Sequence, residues 1–161
     1  MATAVKSLSD TLAFEALEVV LRFQREFDAS REESEILFRE CKRWLWACAR
    51  RAEDESSGKH VPSQLVISPE LGRMDEMWHC FLVFTREYHE FCETRLGRFI
   101  HHGPLTSKEI AEFDDLRADD PSRAVEMRRE QLRPQLEYLY DLLGPDVLTE
   151  WYRRPPSAEE S

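Results

Sequence analysis

The sequence contains little glycine, no long apolar run and no basic segment that leads into an apolar one at its N-terminus. With five glycines in 161 residues, and apolar residues that recur at helical rather than alternating spacing, β-strands have little support. No stretch approaches the roughly 20 apolar residues that a membrane-spanning helix needs. We therefore predict an all-α protein with no membrane association and a cytoplasmic location.

Closely spaced cysteine pairs are also absent. Four cysteines are too sparse for a disulfide scaffold, and none forms the Cys-x-x-Cys pair that marks a zinc knuckle or a redox site. We expect reduced thiols, most of them buried. They are Cys41, Cys48, Cys80 and Cys92.

Positive charge is in deficit, with 22 Lys and Arg against 32 Asp and Glu and a formal net charge of -10. Phosphate binding needs a clustered excess of basic residues, so we expect no general nucleic-acid binding. The basic tract from Lys42 to Arg51 is broken by Trp44 and Leu45. It is interpreted as the solvated edge of an amphipathic helix, with a local nucleic-acid patch as the alternative.

What the chain does contain is enough apolar and aromatic surface for one core. Hydrophobic residues make up 42% of it, including nine Phe, four Tyr and four Trp, and its length fits one domain. Residues 1–153 are predicted to form a single helical domain, an irregular four- to six-helix bundle, and residues 154–161 a disordered C-terminal tail.

Capping residues and glycine or proline stops predict five main helices. Their predicted starts are Ser7 or Ser9, Ser30, Ser68, Thr106 or Ser107, and Asp120. The first three are expected to end near Asp28, Ala52 and Gly97, and the last at Gly144-Pro145, before a final turn that carries Trp151. Pro134 is expected to kink the last long helix.

The third predicted helix has a broad apolar face, so it should be central. At 100 degrees per residue, six residues lie within about 40 degrees of one line: Met74, Trp78, Phe81, Thr85, Tyr88 and Cys92. We predict that Trp78, Phe81 and Tyr88 are core residues.

Asp75 and His79 project from a different face of this helix, four residues apart. A carboxylate beside an imidazole can orient it as a base, orient it as a metal ligand, or hold a buried histidine by a hydrogen bond. The structural interpretation is the one favoured by the sequence, and we expect the two side chains to lie within hydrogen-bond reach, directly or through one water.

His101 and His102 lie in a short return segment just after Gly97. A continuous helix from residue 79 to 97 advances about 27 Å, whereas five extended residues return at most about 17 Å. We therefore expect His102 to meet a residue in the second half of the helix rather than His79. The expected neighbours are Arg86, Tyr88, His89 and Cys92.

One metal site built from Asp75, His79, His101 and His102 would require the helix to end early or to kink near residue 90. These four are nevertheless the metal-ligand candidates, with iron or zinc as the cofactor. Two histidines and a carboxylate form a facial set suited to iron, and histidines with cysteine suit zinc. The spacings match no standard metal motif.

These residues belong to a pattern of about 30 residues. It runs Asp75-x-x-Trp78-His79, Thr85-x-x-Tyr88, Cys92, Gly97-x-Phe99-x-His101-His102 and Pro104. The pattern resembles a group of short bacterial proteins similar to the N-terminal region of the glycine-rich domain-containing protein-like family. Many members of that group look like Trp-His-x-His followed by an aspartate before the threonine, whereas this sequence has Phe81 and Phe84 there. Two polar groups that the pattern offers as ligands are therefore missing, and the resemblance implies no particular activity.

Two functions of different class fit these observations. The favoured one is an accessory or adaptor module that binds a protein or peptide in an exposed groove. The alternative is a small metal-assisted or acid/base enzyme, with His79 as ligand or base, Asp75 as its orienting group and His101 or His102 completing a cleft. Further residues that could line the site are Tyr88, Cys92 and Arg86.

Overall fold

The computed structural model describes residues 3–153, and within them the all-α prediction is confirmed. Eight α-helices and no strand lie in this part of the chain. The helices are α1 (Leu8–Leu12), α2 (Leu17–Phe27), α3 (Arg31–Ser56), α4 (Gly72–Val83), α5 (Thr85–Phe91), α6 (Ser107–Asp119), α7 (Pro121–Leu143) and α8 (Pro145–Trp151). None of the helices within residues 3–153 is both long enough and apolar enough to cross a membrane. The tail predicted at 154–161 lies outside the described residues.

The predicted first helix is interrupted, and this part of the sequence interpretation is wrong. α1 begins at the Ser7 cap but stops after one turn, and α2 then ends at Asp28 as expected. The break is held by tertiary contacts, since Lys42 donates from Nζ to the carbonyls of Leu12 (2.6 Å) and Phe14 (2.7 Å). No glycine or proline lies between α1 and α2, so the break has no local sequence signal.

The core lies where α2, α3 and α4 pack on one another. Phe81 occupies its centre, with the Phe38 ring 5.2 Å and the Tyr88 ring 5.0 Å away, both edge-on. Trp78, Phe81 and Tyr88 are buried, as predicted. All four cysteines are free, and three of them are buried. α4 is therefore the central helix, and its remaining face is available for a site.

α7 and α8 dock on α3 through polar and aromatic contacts. Trp151 packs on Trp44 with ring centroids 5.8 Å apart and donates to Glu40 over 2.8 Å. Tyr138 donates to Asp54, also over 2.8 Å. α6 packs against α7 and has no buried residue, so it contributes an outer layer.

The third predicted helix is not continuous, and this difference decides the geometry of the site. A 3-10 turn at Pro69–Leu71 leads into α4, which ends at Val83 because Phe84 leaves the helical conformation (φ -86, ψ 72). α5 follows in a new direction and runs into a π-helical turn, Cys92–Leu96. Gly97, with φ 70, ends the turn as predicted.

Gly97 also allows a close backbone crossing. A Cβ at this position would lie 1.9 Å from the Thr3 carbonyl oxygen, whereas a Cβ at Gly58, which also has positive φ, would meet nothing within 4 Å. We expect Gly97→Ala to lower the free energy of unfolding by at least about 2 kcal/mol, and Gly58→Ala by about 1 kcal/mol, because only the first adds a collision to the conformational cost. Chemical denaturation of both variants measures the difference, and equal losses would contradict the crossing.

Candidate metal centre

Three side chains from two segments converge on one point at the surface of α4. Asp75 and His79 lie one turn apart on that helix, and His102 reaches them from the return segment after Gly97. The Nε2 atom of His102 lies 2.8 Å from Asp75 Oδ1 and 3.0 Å from His79 Nε2. The Asp75 Oδ1 to His79 Nε2 distance is 3.7 Å. Asp75 and His79 are thus neighbours, but the direct partner of the carboxylate is His102.

The expectation that His102 lies away from His79 is wrong. It assumed one straight helix from residue 79 to 97, and the turn at Phe84 removes that assumption. Because the chain changes direction after α4, the return segment does not have to cover the length of a straight helix. The Val83-Phe84-Thr85 stretch combines two β-branched residues with an aromatic one, which is only a mild signal against helix.

The exposure of the three side chains increases from His102 through Asp75 to His79. The side chain of His102 is 15% exposed, that of Asp75 28% and that of His79 55%. The His102 ring is held between Trp78 and His79, with both ring centroids 4.5 Å from its own. His102 is therefore fixed by packing, whereas the His79 side of the cluster faces solvent.

The convergence of these atoms is not explained by a single hydrogen bond. If Nε2 of His102 carries a proton, that proton can point at Asp75 or at His79, but not along both lines. If Nε2 carries no proton, its lone pair faces the carboxylate oxygen, which is repulsive. A cation placed among the three atoms accepts one lone pair from each of them, so that no two lone pairs are left facing each other.

The spacing of the three atoms also suits a metal ion. A circle through them has a radius of about 1.9 Å, less than the bond length of about 2.1 Å that histidine nitrogens and carboxylate oxygens make with first-row metals. The three atoms are therefore close enough together to hold one ion. Asp75, His79 and His102 would then occupy one face of the coordination sphere, leaving the opposite face free.

A hydrogen-bonded chain behind the cluster fixes the return segment. Trp78 donates from Nε1 to the Tyr88 hydroxyl over 3.1 Å, and Tyr88 donates to the carbonyl of Ile100, two residues before His102. Burial raises the pKa of Tyr88, so its hydroxyl remains a donor. Burial also raises the pKa of the Cys92 thiol, although the N–H of Ile100 acts in the opposite direction.

The other sequence candidates lie outside the cluster. His101 is exposed and packs on Phe99, with the ring centroids 4.8 Å apart, so adjacent histidines separate as their positions in an extended segment require. Arg86 is exposed on α5. Tyr88 and Cys92 support the return segment from beneath rather than offering ligand atoms to the cluster. Phe81 lies in the core, which accounts for a phenylalanine there.

Two surface depressions do not coincide with the cluster. One, of about 290 Å³, is lined by Lys6, Asp10, Ala13 and Arg95, and the other, of about 420 Å³, lies between α7 and α8. Neither contains Asp75, His79 or His102. A substrate reaching the cluster would meet it at the open His79 side.

Comparison with known families places the three converging residues inside a matched region. The model of the UCP032817-like family matches residues 14–115. The chain belongs to this family. The match begins at the break between α1 and α2 and ends within α6, so it includes the core helices and the return segment that carries His102. No curated protein and no solved structure matches the chain.

Two features of the site had no sequence signal that could be interpreted. The contribution of Ile100 is a main-chain carbonyl, which any residue provides. Trp78 was predicted as a core residue, but its contact with His102 depends on the turn at Phe84. The i,i+4 spacing of Asp75 and His79, by contrast, identified two of the three converging residues directly.

Proposed function

We propose that the protein binds one divalent transition-metal ion through Asp75, His79 and His102. The observation that carries the proposal is the meeting of two imidazole nitrogens and one carboxylate oxygen within 3.7 Å of one another. The i,i+4 pair of His89 and Glu93 has the same 3.7 Å separation, but within residues 3–153 no third ligand group joins it. The return segment is what makes the first pair a candidate site.

The ligand set favours iron or zinc. Two histidines and one carboxylate on one face are typical of non-haem Fe(II) sites, and two histidines with a carboxylate also occur in catalytic zinc sites. No cysteine belongs to the cluster, so the set has no preference for Cu(I). Because three protein ligands leave positions free, the proposed site is of the open, catalytic kind rather than the closed, structural kind.

The chemistry proposed for this site is metal-assisted. A bound ion of this type can polarise an oxygen ligand or make bound water a better nucleophile at neutral pH. Asp75 supplies the negative charge that offsets part of the ion's charge, and His102 supplies the rigid ligand. His79, the most exposed of the three, faces the side from which a substrate would approach.

Metal titration of protein purified without an affinity tag tests the proposal. We expect one equivalent of Zn²⁺ or Co²⁺ to bind, and Fe²⁺ to bind under anaerobic conditions. His79→Gln should abolish this binding and leave the fold intact, because the amide keeps roughly the shape of the imidazole without its nitrogen ligand. The matched control is His89→Gln, which should bind as the parent does; no binding by the parent, or equal binding by both variants, would refute the site.

A second candidate function is the adaptor module. It is supported by apolar side chains that are 40% exposed or more on the outer layer, where α6 packs against α7. They are Leu105, Ile110, Phe113 and Val125. Such a surface suits a protein or peptide partner, and the net charge of -10 favours one with basic side chains. If the titration detects no metal binding, the adaptor function remains as the proposal.

Three further predictions from the sequence remain proposals. They are the relationship to the glycine-rich domain-containing protein-like family, the cytoplasmic location and the lack of general nucleic-acid binding. The last of these is supported by the excess of acidic residues.

A further inference from the structure

We propose that Tyr88 is the positioning residue of the cluster, and that it acts through the main chain of Ile100 to hold His102 against Asp75 and His79. This inference rests on the proposed function where it concerns metal affinity. Its structural part, the placing of His102, is independent of any metal.

The first support is the position of the Tyr88 hydroxyl. It accepts a hydrogen bond from Trp78 Nε1 and donates one to the carbonyl of Ile100. Trp78 lies on α4 between Asp75 and His79, and Ile100 lies two residues before His102. The hydroxyl thus joins the helix that carries two of the three groups to the segment that carries the third.

The second support is the scarcity of other polar contacts that could hold this segment, whose Ile100 side chain also packs on the core. His101 and Phe99 are largely exposed, and no backbone hydrogen bond ties residues 98–102 to a helix. The segment is not part of any regular element. Apart from the N–H of Ile100 near Cys92, its polar attachment to the core runs through the Tyr88 hydroxyl and His102 itself.

The third support is the rigidity of Tyr88. Its side chain is buried between Phe81, 5.0 Å away, and Phe99, 5.3 Å away, with both rings edge-on. Phe99 belongs to the segment itself, whereas Phe81 lies in the core. Since burial against Phe81 fixes the phenol, the hydroxyl keeps its place if the segment moves. Groups that orient metal ligands in this way typically change affinity by about 10- to 100-fold when they are removed.

The test compares Tyr88→Phe with Tyr138→Phe. Each variant removes one tyrosine hydroxyl, and Tyr138 binds Asp54 rather than any residue of the cluster. We expect Tyr88→Phe to bind Zn²⁺ or Co²⁺ about 10- to 100-fold more weakly than the parent and to alter the Co²⁺ absorption spectrum. Tyr138→Phe should match the parent in both.

Hydrogen exchange in the metal-free proteins gives the second readout. The Ile100 amide, which is hydrogen-bonded to Cys92, should exchange at least about tenfold faster in Tyr88→Phe than in the parent, because losing the bond to the Ile100 carbonyl lowers the cost of local opening, and Tyr138→Phe should leave this amide unchanged. Equal behaviour of the two variants would overturn the inference, and weaker metal binding without faster exchange would overturn the route through Ile100. If the parent binds no metal, the proposed function fails, and the exchange data alone decide whether Tyr88 holds the segment.

Discussion

The variant His102→Gln is expected to bind Zn²⁺ or Co²⁺ at least about 100-fold more weakly than the parent while remaining folded. Outer-sphere residues of metal sites contribute about 10- to 100-fold, and loss of a ligand should exceed that range. His102 is the best fixed of the three proposed ligands, since it packs on both Trp78 and His79. The measurement is metal affinity by calorimetry or by competition with a chromophoric chelator.

His101→Gln is the matched control for this prediction. The two histidines are adjacent in sequence, but the His101 ring packs on Phe99 and stays outside the cluster. Parental affinity in His101→Gln together with the loss in His102→Gln assigns the ligand to one side chain. Retained affinity in His102→Gln, or equal loss in both variants, would contradict the geometry of the site.

The part of the fold that the sequence could predict is the part that local chemistry decides. The Ser30 hydroxyl accepts from the Glu33 N–H, Thr106 and Glu109 form a complete capping box, and Asp120 caps α7. Each cap depends on residues within one turn of the helix end, so a local pattern is sufficient. Gly97 belongs to the same class, since its positive φ ends a helical turn.

What the sequence could not predict depends on distant contacts. The break before α2 is held by Lys42, 28 residues away from Phe14 in the chain. The turn at Phe84 has no glycine or proline, and Trp78 and Tyr88 on either side of it share one apolar face if the helix is straight. A straight helix was therefore the natural inference, and the distance between His79 and His102 estimated from it was too large.

In the candidate site, too, local spacing predicted some of the residues, whereas distant contacts determine the position of the others. Asp75 and His79 share a helix, so their spacing alone predicted that they are neighbours. The third group comes from another segment, whose position depends on the Phe84 turn, the π-helical turn at Cys92–Leu96 and the Tyr88 hydrogen bond. None of these has a local sequence signature strong enough to choose His102 over His101.

Trp78→Ala is expected to have the largest effect on stability and also to weaken the site. Trp78 is 5% exposed, and truncation of a buried tryptophan costs about 3–5 kcal/mol, a large share of the 5–15 kcal/mol that stabilises an ordinary domain. The substitution also removes the hydrogen bond to Tyr88 and the ring that packs on His102. Chemical denaturation measures the first effect, and metal affinity under conditions where the variant is folded measures the second.

Trp151→Ala separates these two effects. Trp151 is 6% exposed, and its Nε1 also donates to a side chain, Glu40, but it lies on α8 and packs on Trp44 of α3. A similar loss of stability with parental metal affinity is therefore expected for Trp151→Ala, whereas Trp78→Ala should lose both. If the two variants lose stability equally and both retain affinity, Trp78 contributes only to the core. If both lose affinity in proportion to stability, the metal site depends on global rigidity rather than on the contacts between Trp78, Tyr88 and His102.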